Sequence, residues 1–126
     1  MPRDRVSSGS PFEKKAGFSR AVIDGPWCFV SGTAGYDYQT MVMPDDVETQ
    51  THNIFKTLQE TLQQHGFALK HVIKATYIVA DRDYADPFLD VCGHYFGDIR
   101  PAVTLMIAEL YRPEIKVDID VTAYRP

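Results

Sequence analysis

The sequence predicts an α+β domain in which two helices pack on one face of a mixed β-sheet. Three observations predict it. Runs rich in β-branched and aromatic residues stand near both ends of the chain and once in its middle. Two segments between them carry apolar residues at helical spacing on a single stripe, and such a helix buries its stripe most economically against a sheet. No repeat or low-complexity linker interrupts the 126 residues, so residues 1–126 read as one domain.

Residues 1–15, with Ser7, Ser8, Gly9, Ser10 and Pro11, read as an irregular lead-in. Phe18 to Ile23 and Trp27 to Ser31 read as a hairpin around Asp24-Gly25-Pro26. Ser31-Gly32-Thr33-Ala34-Gly35 then breaks the alternation, and its glycines leave open a turn, a bulge or a close approach of backbone to ligand. Pro44 to Glu48 opens the clearest helix, with Asp45 as its cap and Val47, Thr51, Ile54, Phe55, Leu58 and Leu62 as its stripe. His65-Gly66 ends it.

Val72 to Ala80 reads as a buried strand, with Ile73, Ala75, Tyr77 and Val79 on one face. Asp83 to Phe96 is the second helix, with Pro87 in its first turn, and Gly97-Asp98 closes it. Pro101 to Leu110 and Ile115 to Tyr124 supply the last strands, for the order β-β-(β)-α-β-α-β-β. With both helices on one face, the other face needs cover, which predicts self-association.

The formal net charge of -4 disfavours nucleic acid as a partner. The N-terminus has no apolar leader and no apolar stretch is long enough to span a bilayer, so the expectation is a cytoplasmic protein without membrane contact. Cys28 and Cys92 read as reduced, buried packing residues. Phosphate-binding glycine loops, C-x-x-C and H-E-x-x-H are absent, and His52, His65, His71 and His94 lack metal-ligand spacing, so no metal is expected.

Asp118 and Asp120 alternate with Val117, Ile119 and Val121 and so project from one sheet face, where one of them can meet a cleft. Arg20 shares a face with Phe18 and offers a cation to an anionic ligand. On periodicity alone, a solvated face is the simpler reading of all of these.

Several segments together resemble the Rid family, also called the YjgF or L-PSP family, whose best-known members are enamine/imine deaminases. A-G-F-S-R-A-V is similar to that family's G-P-Y-x-Q segment, and F-V-S-G-T-A-G to its strand ending in S-G. The helix Q-T-H-N-I-F-K-T-L-Q-E-T-L-Q-Q-H-G-F, the following H-V-I-K-A-T-Y-I-V-A-D and the closing R-P-A-V-T and I-K-V-D-I-D-V-T-A resemble its other signatures.

The resemblance implies a chorismate-mutase-like fold, a homotrimer with clefts between subunits, and a deaminating hydrolase that releases ammonia without a cofactor. It places Asp118 as the water-positioning carboxylate and Ser31 and Gly32 at the cleft, the Gly32 backbone binding an oxygen. Phe18 stands where relatives have tyrosine, Val103 where deaminating members have a carboxylate-binding arginine, and Leu105 at a frequently polar site. Without that charge-assisted anchor, the expected ligand is an imine, carbonyl or carboxylate in a more apolar pocket, with Arg20 as a substitute cation. The alternatives are a non-catalytic metabolite-binding module, favoured by Val103, and the ribonuclease activity that gave some relatives the L-PSP name.

Overall fold

The computed structural model describes residues 3–126. Six strands, β1 (Asp4–Val6), β2 (Ala21–Asp24), β3 (Trp27–Ala34), β4 (Val72–Val79), β5 (Ala102–Ile107) and β6 (Val117–Tyr124), form one sheet in the order β1-β2-β3-β6-β4-β5. Only β4 and β5 run parallel; the other neighbours are antiparallel. The expected α+β architecture is present, with β6 placed centrally between β3 and β4. Although consecutive in sequence, β5 and β6 do not pair.

Two of the three helices, α2 (Val47–Gln63) and α3 (Ala85–Phe96), provide the packing predicted from their stripes. Ile54, Phe55, Leu58 and Leu62 of α2 meet Phe88, Cys92 and Phe96 of α3 and the inward residues of β3, β4 and β6 in one core. The cap of α2 is Asp46 rather than Asp45: its carboxylate accepts from Thr49 N at 2.8 Å. A cap must sit just before the first helical residue, which is Val47.

The lead-in is more ordered than residues 1–15 predict. Asp4–Val6 pairs with β2, and Pro11–Ala16 is the short helix α1. Ser10 caps α1 by accepting from Phe12 N, Pro11 occupies the first turn, and Gly17 closes it at φ 77, a left-handed conformation that glycine adopts without penalty. Glu13 is buried and accepts from Ser8 N at 3.1 Å and from the Ser8 hydroxyl, tying the helix to the segment before it.

Two irregularities shift the expected strand faces. The pairing of β4 with β6 slips between Val72 and Lys74, so Val72 is buried and Ile73 exposed, while Ala75, Tyr77 and Val79 keep the inward face. The β3–β6 register slips between Val30 and Thr33, taking Ser31 and Gly32 out of the ladder. Of the three readings left open for this glycine segment, the bulge is what forms.

Past this bulge the chain turns under α2. A β-carbon on Gly35 would lie 2.6 Å from Gln50 Cα, so only glycine permits the approach. Buried Gln50 donates to the carbonyls of Pro44 and Glu114 and accepts from Lys116 N, joining the start of α2 to the β5–β6 connection. Ala34, Tyr36 and Ile115, with Phe12, Tyr38 and Leu110 packed around them, make a second apolar cluster there. Cys28 and Cys92 are buried free thiols, as expected, with burial raising their pKa to about 11 and about 12.

Candidate functional site

Central β6 alternates inward apolar residues with Asp118, Asp120 and Thr122 on the face that α2 and α3 leave open. Asp118 lies across from Ala34 of β3 and Ile78 of β4. The β3 bulge brings Gly32 against its carboxylate: a β-carbon on Gly32 would stand 2.9 Å from Asp118 Oδ1. A side chain at position 32 would therefore collide with the acid.

Asp118, Gly32, Arg20 and Phe18 line one cavity of about 470 Å³. Phe12 and Lys15 of α1, Tyr36 and Tyr38 of the loop after β3, and Tyr111 of the β5–β6 connection complete most of its wall. The Tyr36 hydroxyl donates to Glu114 at 2.9 Å, and the Tyr38 hydroxyl accepts from Ala34 N at 2.7 Å. Both phenols are thus held at the edge of the wall.

Burial raises the Asp118 pKa from the ordinary 3.8 to about 6, against the opposing pull of the Arg20 cation. The neighbouring Asp120 adds to the rise, and a backbone hydrogen bond from Thr33 offsets part of it. Asp120 itself is raised, first by burial, while a hydrogen bond with Thr76 and the charge of Lys74 act against that. An acid with a pKa near 6 exchanges its proton readily near neutral pH, as general acid–base chemistry requires.

Arg20 is buried in the wall, 2% exposed, rather than projecting into open space. Its Nη2 donates to the Gly32 carbonyl, and its guanidinium lies 5.0 Å from the centre of the Tyr38 ring. Among the described residues its Nε has no hydrogen-bond partner, and its charge acts on nearby Asp118.

Of the residues singled out from sequence, Phe18, Arg20, Gly32 and Asp118 come together here. Ser31 stands beside the cavity, its hydroxyl donating to the Ser19 carbonyl at 2.6 Å and fixing the segment that carries Phe18 and Arg20. Val103 and Leu105 are absent from the wall. Val103 pairs with inward-facing Ala75 on the sheet's edge strand, whereas Asp118 projects from the open face two strands away. Leu105 packs against the protomer's own core. Within one chain, neither reaches Asp118.

Sequence patterning missed Phe12, Lys15, Tyr36, Tyr38 and Tyr111. The first two carried a signal in the run Ser10-Pro11-Phe12-Glu13 ahead of Gly17, which has the features of a capped helix. The tyrosines lie in connections without periodicity and meet only through the tertiary fold.

Among the described residues, no group of three or more His, Cys, Asp or Glu side chains is placed to hold a metal, and no helix is long and apolar enough to cross a membrane.

Known proteins share this architecture. The chain is 30% identical over 122 residues to an uncharacterized protein of Streptomyces coelicolor, covering 96% of this chain and 91% of that one. It is 25% identical over 109 residues to a RutC family protein of Pyrococcus horikoshii, covering 86% of each. A crystal structure of a YjgF/YER057c/UK114 family member from Mycobacterium tuberculosis superposes with a TM-score of 0.89 at 34% identity, over 98% of this chain and 100% of that one. The family model described as endoribonuclease L-PSP matches residues 9–125, and the chain belongs to that family, the YjgF/Rid family.

Proposed function

We propose that this protein is an imine or enamine hydrolase of the Rid type, working in clefts between the subunits of a homotrimer. The observation that carries this reading is Asp118: a largely buried carboxyl with a pKa of about 6, facing a cavity of about 470 Å³ beside a glycine that leaves it room. The imine enters as its N-protonated iminium ion, and ionised Asp118 takes a proton from water as the water oxygen bonds to the imine carbon, giving a neutral carbinolamine. Asp118 then returns that proton to the carbinolamine nitrogen. The C–N bond breaks as Asp118 takes the hydroxyl proton and the carbonyl forms, and the departing ammonia carries that proton away, so iminium and water become a carbonyl compound and ammonium.

Arg20 acts through the wall. Its hold on the Gly32 carbonyl fixes the bulge, and its charge keeps Asp118 from rising further in pKa. Phe18 supplies an apolar side of the cleft, and no cofactor takes part in the reaction.

Support for the trimer comes from the sheet face that the helices leave open. It exposes Trp27, Phe29 and Tyr124: Trp27 stacks on Phe29 at 6.2 Å between centres and meets Tyr124 at 4.7 Å in a tilted pair. On that face the edge strand β5 adds Met106, 45% exposed, while Val103, 42% exposed, lies on the other side of the same edge strand. In the trimer Val103 enters a neighbouring subunit's cleft, which reconciles its distance from its own Asp118 with its place in the family pattern. Hydrolysis in the cytoplasm is part of the proposal.

The direct test generates 2-aminoacrylate in a coupled assay and follows pyruvate. Acceleration over the spontaneous rate, lost in Asp118→Asn, supports the reading; a wild-type rate equal to the spontaneous one, for 2-aminoacrylate and for larger 2-imino acids alike, removes it. The second reading, a non-catalytic metabolite-binding module, draws on Val103, which cannot pair with a carboxylate as arginine does. Ligand-induced stabilisation by small carboxylates without turnover would favour it.

A further inference from the structure

The Asp118 cavity, about 470 Å³, is walled largely by aromatic side chains. Phe12, Phe18, Tyr36, Tyr38 and Tyr111 all contribute to it, so aromatic rings dominate its apolar surface. They form a connected set. The Phe12 ring lies 6.3 Å from Tyr36 and edge-on to Tyr111 at 6.5 Å, and Tyr36 meets Tyr38 at 5.9 Å, also edge-on.

This set is held from outside. The Arg112 guanidinium lies 4.9 Å from the centre of the Phe12 ring and 5.5 Å from that of Tyr111, bridging the two. Glu114 accepts from the Tyr36 hydroxyl, and the Tyr38 hydroxyl oxygen accepts from the Ala34 amide. With these polar ends engaged, the rings offer the cavity carbon surface, and edge-to-face packing suits another ring better than a methyl group.

Charge within the wall is distributed unevenly. Asp118 stands beside Gly32 at the floor, and Arg20 is sealed behind it. Among the described residues lining the cavity, Lys15 at the last turn of α1 is the exposed cation. Its flexible ammonium can meet a carboxylate at the mouth while the rings hold the remainder of the molecule.

We infer that this cavity selects 2-imino acids with an aromatic side chain, the ring lodged among Phe12, Tyr36 and Tyr111 and the carboxylate drawn to Lys15. The inference rests on the imine-hydrolase reading for its reaction, in which water replaces the imine nitrogen and ammonia leaves. The ring and carboxylate sites belong to the cavity itself and can be examined without turnover.

An L-amino-acid oxidase supplies the test substrates, releasing the imines of phenylalanine or alanine in the presence of semicarbazide, and added protein competes with the trap. The expected result is kcat/KM at least tenfold higher for the phenylalanine-derived imine. Phe12→Ala and Tyr111→Ala shrink that preference to less than threefold, and Lys15→Met raises KM several-fold for both imines with kcat little changed. Tyr111 is 81% exposed, so its variant tests the ring site with little risk to folding.

Equal turnover of both imines, or a preference for the alanine-derived one, overturns the inference while leaving imine hydrolysis intact. If neither imine is hydrolysed, the reaction reading fails and calorimetric titration decides the ligand class. Phenylpyruvate binding at least tenfold tighter than pyruvate, with the gap closed by Tyr111→Ala, sustains the aromatic carboxylate site. Equal binding, or none, overturns it.

Discussion

Gly32 and Asp118 are in contact across the β3–β6 pair, so closely that a single added β-carbon at position 32 would stand 2.9 Å from the carboxylate oxygen. The bulge that frees Ser31 and Gly32 from the ladder makes this contact, and Arg20 holds it by donating to the Gly32 carbonyl. The proposed catalytic geometry depends on a missing side chain.

Gly32→Ala therefore displaces the acid. Because misplacing a reacting group by about an ångström can cost roughly a hundredfold in rate, kcat should fall by about ten- to a hundredfold. Gly32 is exposed and the clashing atoms belong to the end of one side chain, so stability in urea should change by less than about 1 kcal/mol. An alanine variant with unchanged kcat would show that the Gly32–Asp118 contact is not part of the site.

Asp118 also links stability to pH. Its pKa is about 6 in the folded chain against an ordinary 3.8, so the folded state binds more protons between those values. Its contribution is fully present below pH 3.8, is lost as pH rises through 6, and stays lost above. At pH 7.5 the ionised group costs up to about 3 kcal/mol, which Asp118→Asn relieves. The asparagine variant should be more resistant to urea than wild type at pH 7.5 and nearly equal to it at pH 4, at one fixed protomer concentration. A variant less stable than wild type at pH 7.5 would contradict the origin assigned to the shift.

Local pattern made much of this legible. Alternation along β6 placed Asp118 and Asp120 on one face because a central strand with a single buried face leaves no other register for Val117, Ile119 and Val121. The stripes of α2 and α3 were equally plain. The lead-in misled because Ser10, Pro11 and Gly17 punctuate loops and cap helices alike, and α1 is only six residues long. The bulge at Ile73 was hidden because β-branched residues suit either face. Phe12, Tyr36 and Tyr111 come together through β1–β2 pairing, the turn under α2 and the β5–β6 connection, a closure no local period encodes.

Assembly through the open face makes its own prediction. Phe29 is 47% exposed and stacked on Trp27, so Phe29→Glu adds charge to the patch without disturbing the core behind Cys28 and Val30. Light scattering should find the wild type as a trimer and the variant shifted to monomer. Loss of trimer should carry loss of turnover, because Val103 then no longer reaches a neighbouring cleft. A wild-type monomer with full activity would remove the intersubunit site.

The central claim is that Asp118 is the proton-handling group of an imine hydrolase, and the pH dependence of kcat/KM tests it most directly. With imine supplied enzymatically and the spontaneous rate subtracted, the acid limb should fall with an apparent pKa near 6, the value that the burial of Asp118 gives it. Arg20→Gln should move that limb upward, since removing a nearby cation favours the neutral acid, and Asp118→Asn should reduce the rate by at least a hundredfold. A rate that survives Asp118→Asn, or an acid limb that Arg20→Gln leaves in place, would contradict the account.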